Sequence, residues 1–201
     1  MLSARTNYAI EHFIEKDYFE ARKNQYVLKE SAKNGASALV LDVDGYNLCV
    51  ADFDHKKKCE FVNENSKNGM KKGVDHLLLR KKDNAWELHL IEMKTTVGRQ
   101  TLKEIKQKFR ASCLSAKALA AFLDISIEKI FLYTTFENEA FADETNPSLI
   151  KVAVGEKAID LNKEWKSGNV KLNFGEWVTF PHSKIAMKRS KNGILVGGYR
   201  I

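Results

Sequence analysis

Proline is scarce in this 201-residue chain, with only Pro147 and Pro181 present. No proline-rich or low-complexity stretch separates one part from another, so no linker is written. The chain reads as one domain, with a core over about 6–135 and a β-rich section over about 146–201. Cysteine is scarce too. Cys49, Cys59 and Cys113 are widely spaced, odd in number and lack any CxxC pair, which argues against a disulfide framework or a cysteine zinc site. The five histidines are scattered with no HExxH-like spacing. Long hydrophobic runs are missing as well: none approaches the roughly 20 residues of a membrane span. The opening MLSARTNYAIEHF lacks the apolar centre of a signal peptide. Reduced thiols, a cytoplasmic location and no membrane partner are the expectation.

What is present is a hydrophobic content of 44%, enough for one sizeable core, and a net charge of +7. The charge is unevenly placed. Residues 56–117 hold sixteen Lys and Arg against seven Asp and Glu, whereas the remainder holds seventeen against nineteen. The whole basic excess therefore lies in one segment, and a local field of that sign suits a polyanionic partner.

Apolar spacing outlines the elements. Ile10, Ile14, Tyr18, Ala21 and Leu28 predict a long amphipathic helix over about 6–33, ended by Asn34-Gly35. ALVLDVDGYNLCVADFD (38–54) predicts a hairpin turned at Asp44-Gly45. CEFVNEN (59–65) suits a short strand and SKNGMKKG (66–73) a polar loop. VDHLLLR (74–80) and WELHLIEMKTT (86–96) predict a second hairpin. A helix follows, with Thr101 and Glu104 spaced as a capping box. Its core stripe is Leu102, Ile105, Phe109, Cys113, Ala116, Ala120 and Leu123, with Lys103, Lys106, Arg110 and Lys117 beside it. IEKIFLYTT (127–135) returns as a strand. The C-terminal section is expected to place Trp165, Trp177 and Phe180 in its core and to close with a hairpin turned at Asn192-Gly193. Helix, strands, helix, strand describes an α/β domain with a mixed sheet.

Within LHLIEMKTT (88–96), a glutamate and a lysine interrupt an otherwise greasy strand. Side chains alternate along a strand, so Leu88, Leu90, Glu92 and Lys94 share one face, and His89 lies on the other. Antiparallel pairing with the preceding strand would bring Asp75 beside Glu92 and Lys94. Two carboxylates offer hard oxygen ligands to Mg²⁺ or Mn²⁺, which readily takes up phosphate oxygens as well. The Met93 carbonyl, between the two charged residues, is a further candidate ligand. The lysine can orient an attacking water.

These residues resemble the PD-(D/E)xK nuclease superfamily, with its restriction-endonuclease-like fold. The likeness covers about 70–135: Gly73-Val74-Asp75, a turn, Glu92-Met93-Lys94, and a helix with a basic face. Val74 stands where the superfamily's motif carries its proline. The resemblance implies a metal-dependent nuclease, with DNA as the expected nucleic-acid partner. Asp75 and Glu92 would bind Mg²⁺ or Mn²⁺, Lys94 would position or activate water, and Gln107 would be a further polar active-site residue. It also implies a possible glutamate from the first helix, for which Glu11, Glu15 and Glu20 are candidates. Lys71, Lys72, Arg99, Lys103, Lys106 and Arg110 would grip the phosphate backbone. A homodimer would suit cutting both strands of a duplex.

Two other readings stand beside this one. A nuclease-like fold can bind nucleic acid or a protein partner without cutting. LVLDVDG (39–45) resembles the first motif of haloacid-dehalogenase-type phosphatases, with Asp42 as nucleophile and Asp44 as acid and base. Only twenty residues separate Thr135 from Glu156, too few for the βα units such a fold requires.

Overall fold

The computed structural model describes residues 2–32, 35–56, 69–141 and 161–201. Among them, a helix α1 (Ala4–His12) is followed by strands β1 (Gln25–Ala32), β2 (Gly35–Asp42) and β3 (Tyr46–Val50). Next come β4 (His76–Lys82), β5 (Ala85–Met93), the short β6 (Thr96–Gly98), the long helix α2 (Arg99–Phe122), β7 (Ile127–Phe136) and β8 (Asn138–Ala140). Helix α3 (Leu161–Ser167) and strands β9 (Asn169–Asn173), β10 (Trp177–Ala186), β11 (Lys188–Arg189) and β12 (Leu195–Arg200) complete the described chain. The predicted strand at 59–65 and the first three residues of the 66–73 loop lie outside the described residues.

The result is a mixed α/β architecture. A six-stranded sheet has the order β3-β4-β5-β7-β10-β9, and a four-stranded sheet the order β1-β2-β12-β11. Strands β3, β4 and β5 run antiparallel, and α2 carries the chain over to β7, which lies parallel to β5. One face of the large sheet, with Leu77, Leu79, Leu88, Leu90 and Leu132, packs on Leu102, Ile105, Phe109 and Cys113 of α2. The opposite face, with Leu78, Ile91, Met93 and Tyr133, packs on Tyr26, Leu28, Leu39 and Leu41 of the smaller sheet. Strand β5 is thus covered on both sides, which is why it reads as a nearly unbroken apolar run.

Several expectations are corrected. The long first helix stops at His12, and 25–32 is a strand paired with β2 from Gln25↔Asp42 to Ala32↔Gly35. Tyr26 and Leu28 are buried while Val27 is 53% exposed, a period of two that the four-residue apolar spacing had masked. Gly35 thus opens β2 rather than ending a helix, and Asn34 lies outside the described residues. Asp44-Gly45 does not turn a hairpin: β2 and β3 belong to different sheets, and the chain crosses between them there. Gly45 has φ +82°, and a Cβ would lie 2.9 Å from the Lys81 carbonyl, so the corner requires glycine. Helix α2 begins two residues before Thr101, with Gly98 as N-cap and no side-chain cap, so the capping box is not used. Its core stripe is buried as expected. Trp165 is buried but Trp177 is 55% exposed, and 161–167 is helical where a β-rich section was expected. The C-terminal hairpin is reduced to two residue pairs, because β10 pairs with β7 and β12 with β2.

Candidate active site

The register that sets His76 against Ile91 continues to place Asp75 opposite Glu92, at the edge where β4 begins and β5 ends. Two like charges directly opposite destabilise a strand pair unless something compensates them. The surroundings supply it. The Met93 N–H donates to Asp75 Oδ2 (2.5 Å), which fixes the aspartate against the end of β5. Lys94 Nζ lies 2.5 Å from Glu92 Oε1 and donates to the Met93 carbonyl (2.9 Å). Lys108, from α2, donates to both carboxylates, at 3.2 Å to Asp75 Oδ1 and 2.7 Å to Glu92 Oε1.

Local structure explains how α2 reaches this edge. Ser112 Oγ accepts the Val74 N–H (2.9 Å), tying the entry of β4 to the helix. Lys108 stands one turn before Ser112 on the same face, so it meets Asp75. Glu92 has no exposed surface, and Asp75 is 6% exposed. Both ammonium groups crowd onto Glu92 Oε1, leaving Oε2 buried without a hydrogen-bond partner.

A third carboxyl group reaches the pair from the other sheet. Glu30 of β1 shares a hydrogen bond with Asp75. Burial first, then the Asp75 charge, pushes Glu30 up to about 8. Its Oε2 is also buried and unpartnered. Burial and Asp75 push Glu92 up to about 7 against the opposing pull of Lys94 and Lys108. Burial would raise Asp75, but Lys108, Lys94 and the Met93 N–H outweigh it and hold the carboxyl below its usual range. Burial would lower Lys108, yet Glu92 and Asp75 raise it further than burial depresses it.

Two cavities meet here. One, of about 290 Å³, is lined by Glu92, Lys94, Lys108, Lys71, Lys72 and His55 among others. The second, of about 370 Å³, is lined by Glu30, Asp75, Asp52, Asp54 and their neighbours. The first sets four lysines beside Asp54, Glu92 and Glu104, the second sets Glu30, Asp52, Asp54 and Asp75 beside Lys29, and the carboxylate pair contributes one member to each.

The residues singled out from the sequence are distributed unevenly around this centre. Asp75, Glu92, the Met93 carbonyl and Lys94 are brought together, and Lys71 and Lys72 line the same cavity. Gln107 turns to Lys72, accepting from its Nζ at 3.1 Å. Lys103 is exposed and Arg99 half-buried on α2. Lys106 is engaged by Glu164 at 2.7 Å, and Arg110 donates to the Asn173 carbonyl at 3.4 Å. Glu11, Glu15 and Glu20 are exposed and line neither cavity. Asp42 accepts from Gln25 (2.7 Å) and Asp44 pairs with Arg200 (3.0 Å) at the surface, both away from the two cavities. Lys108 and Glu30 were missed. The signal for Lys108 was its place beside the Ile105 and Phe109 stripe, one turn from Ser112; Glu30 was hidden by the helical reading of its segment.

No protein family, curated protein or solved structure matches this chain. Among the described residues, no helix is long and apolar enough to cross a membrane.

Proposed function

We propose that this protein is a metal-dependent nuclease with a restriction-endonuclease-like core, hydrolysing phosphodiester bonds, with DNA as the substrate. The observation that carries the reading is the juxtaposition of Asp75, Glu92 and Lys94 at the mouth of a lysine-lined cavity. Its setting supports it: β4 and β5 pair antiparallel, and α2 follows them where the resemblance expects a helix after the motif.

The donor set fits Mg²⁺ or Mn²⁺. Mg²⁺ is commonly held by one or two carboxylates and completed by water and substrate phosphate, so a full protein cage is not required. The buried, unpartnered Oε2 atoms of Glu92 and Glu30 are hard oxygen donors of the right kind. Asp75, Glu92 and the Met93 carbonyl would hold the ion, with Glu30 within reach through Asp75. When bound, such an ion supplies a water of lowered pKa and neutralises charge developing on the phosphoryl group.

The chain's own groups do the rest. The Met93 N–H keeps Asp75 in place. Lys94, 26% exposed at its side chain, reaches from Glu92 to the cavity and orients the attacking water. Lys71 and Lys72 hold the phosphate backbone, with Gln107 positioning Lys72. Lys103 and Arg99 extend that path along α2, whereas Lys106 is already neutralised by Glu164 and contributes less. Replacing Lys94 by Ala is expected to lower cleavage about 100-fold or more, a loss in the usual range for a group acting on the reacting water, while Mn²⁺ uptake persists. Undiminished cleavage by that variant would overturn the mechanism.

A second reading is a nuclease-like fold that binds nucleic acid without cutting it, in which Lys94 and Lys108 pair with the two carboxylates as structure. That reading predicts DNA affinity indifferent to metal. Affinity would fall roughly 40-fold between about 50 and 200 mM salt if three phosphates of a duplex are neutralised.

A further inference from the structure

Each group that would receive a divalent cation at the end of β5 is already touched by an ammonium group. Lys94 contacts Glu92 Oε1 and the Met93 carbonyl. Lys108 does something different: its Nζ bridges the carboxylates, 3.2 Å from Asp75 Oδ1 and 2.7 Å from Glu92 Oε1. A cation shared by two carboxylates occupies just such a place. Without it, two buried anions would face each other across β4 and β5, and one would have to take up a proton.

Lys108 is also free to leave. It comes from α2, so its departure requires no movement of the strands that carry the acids. Its flexible stem is 22% exposed at the side chain, and the residue lines the cavity that holds Lys71 and Lys72.

We propose that Lys108 is a resident counterion that marks the divalent-cation position. The cation binds between Asp75 Oδ1 and Glu92 Oε1 only as Lys108 Nζ withdraws, and Lys108 then turns into the basic cavity, where a substrate phosphate can receive it. The proposal rests on the metal-dependent reading of the site and adds how the site is kept neutral without metal. It makes metal and polyanion mutually reinforcing. An anion that draws Lys108 away lowers the cost of cation binding, and by linkage the cation strengthens anion binding by the same factor.

The test reads the lysine itself. Trace acetylation of the folded wild-type protein, with and without Mn²⁺, is quantified at Lys108 against the exposed Lys117 as internal reference. Calorimetry of Mn²⁺ binding is run in parallel on wild type and Lys108→Met at one common pH. Lys108 should become about fivefold more reactive when Mn²⁺ binds, because its ammonium group leaves the two carboxylates and enters the open cavity that it lines. Lys108→Met should bind Mn²⁺ about tenfold more tightly, since a competing charge has gone. Calorimetric Mn²⁺ binding to wild type with unchanged Lys108 reactivity would overturn this proposal and leave the nuclease reading standing. Equal or weaker binding by Lys108→Met would likewise contradict it. Absence of Mn²⁺ binding to either protein would overturn the metal reading itself, and the displacement with it.

Discussion

A carboxylate with no exposed surface, such as that of Glu92, loses several kcal/mol of hydration that two ammonium neighbours only partly restore. A hydrophobic residue would fill the end of β5 at lower cost, and that cost supports the proposal that Glu92 serves a site. Histidine 182 shows the contrasting case of a polar group buried for structure. Its Nε2 lies 2.9 Å from Thr134 Oγ1, and its ring packs between Phe109 and Trp165. Burial, with a smaller contribution from Lys184, pushes its pKa down to about 4. The unfolded chain takes up a proton near pH 6.5 that the folded chain refuses until about pH 4. Stability from this group is therefore full above pH 6.5 and is lost as pH falls toward 4, by roughly 3 kcal/mol in all. His182→Gln, which can still bond Thr134, should show a shallower fall in urea midpoint across that window. Parallel profiles for the two proteins would contradict the assignment.

At the scale of elements, the entry of α2 fixes where Lys108 points. Gly98 caps that helix and also pairs with Ala140 where β6 meets β8. A Cβ at Gly98 would lie 2.7 Å from the Ala140 carbonyl, so Gly98→Ala must push the strand and helix apart. A loss of about 1–3 kcal/mol is expected, as for other overpacked positions, read as a lower urea midpoint. An unchanged midpoint would show that the helix start is less constrained than the contact implies. The β4–β5 hairpin, the buried stripe of α2 and β7 were legible because their apolar periods are strong and their turns well marked. Strand β1 was not, since Ile10, Ile14 and Tyr18 repeat every four residues and drew 25–32 into a helix that ends at His12. The same error hid Glu30. The meeting of Asp75, Glu92 and Lys94 could be read because Glu92 lies at the end of β5, Lys94 just beyond it, and Asp75 just before its hairpin partner β4. Lys108 could not, because its meeting with them depends on how α2 packs.

For the whole molecule, the basic excess of 56–117 has a geometric meaning. Lys71, Lys72, Lys94 and Lys108 from that segment line one cavity, and the carboxylates at its end separate it from an acidic one. A polyanion entering the basic side would thus be stopped with a phosphate beside Asp75 and Glu92, where hydrolysis rather than mere retention becomes chemically accessible. Nucleic-acid cleavage at this junction is read most directly by incubating end-labelled duplex, branched and single-stranded DNA, and RNA, with the wild-type protein in EDTA, Mg²⁺ or Mn²⁺. Cleavage of DNA that requires the metal and stops in EDTA is expected. Intact substrates across the whole panel, with either metal, would contradict it.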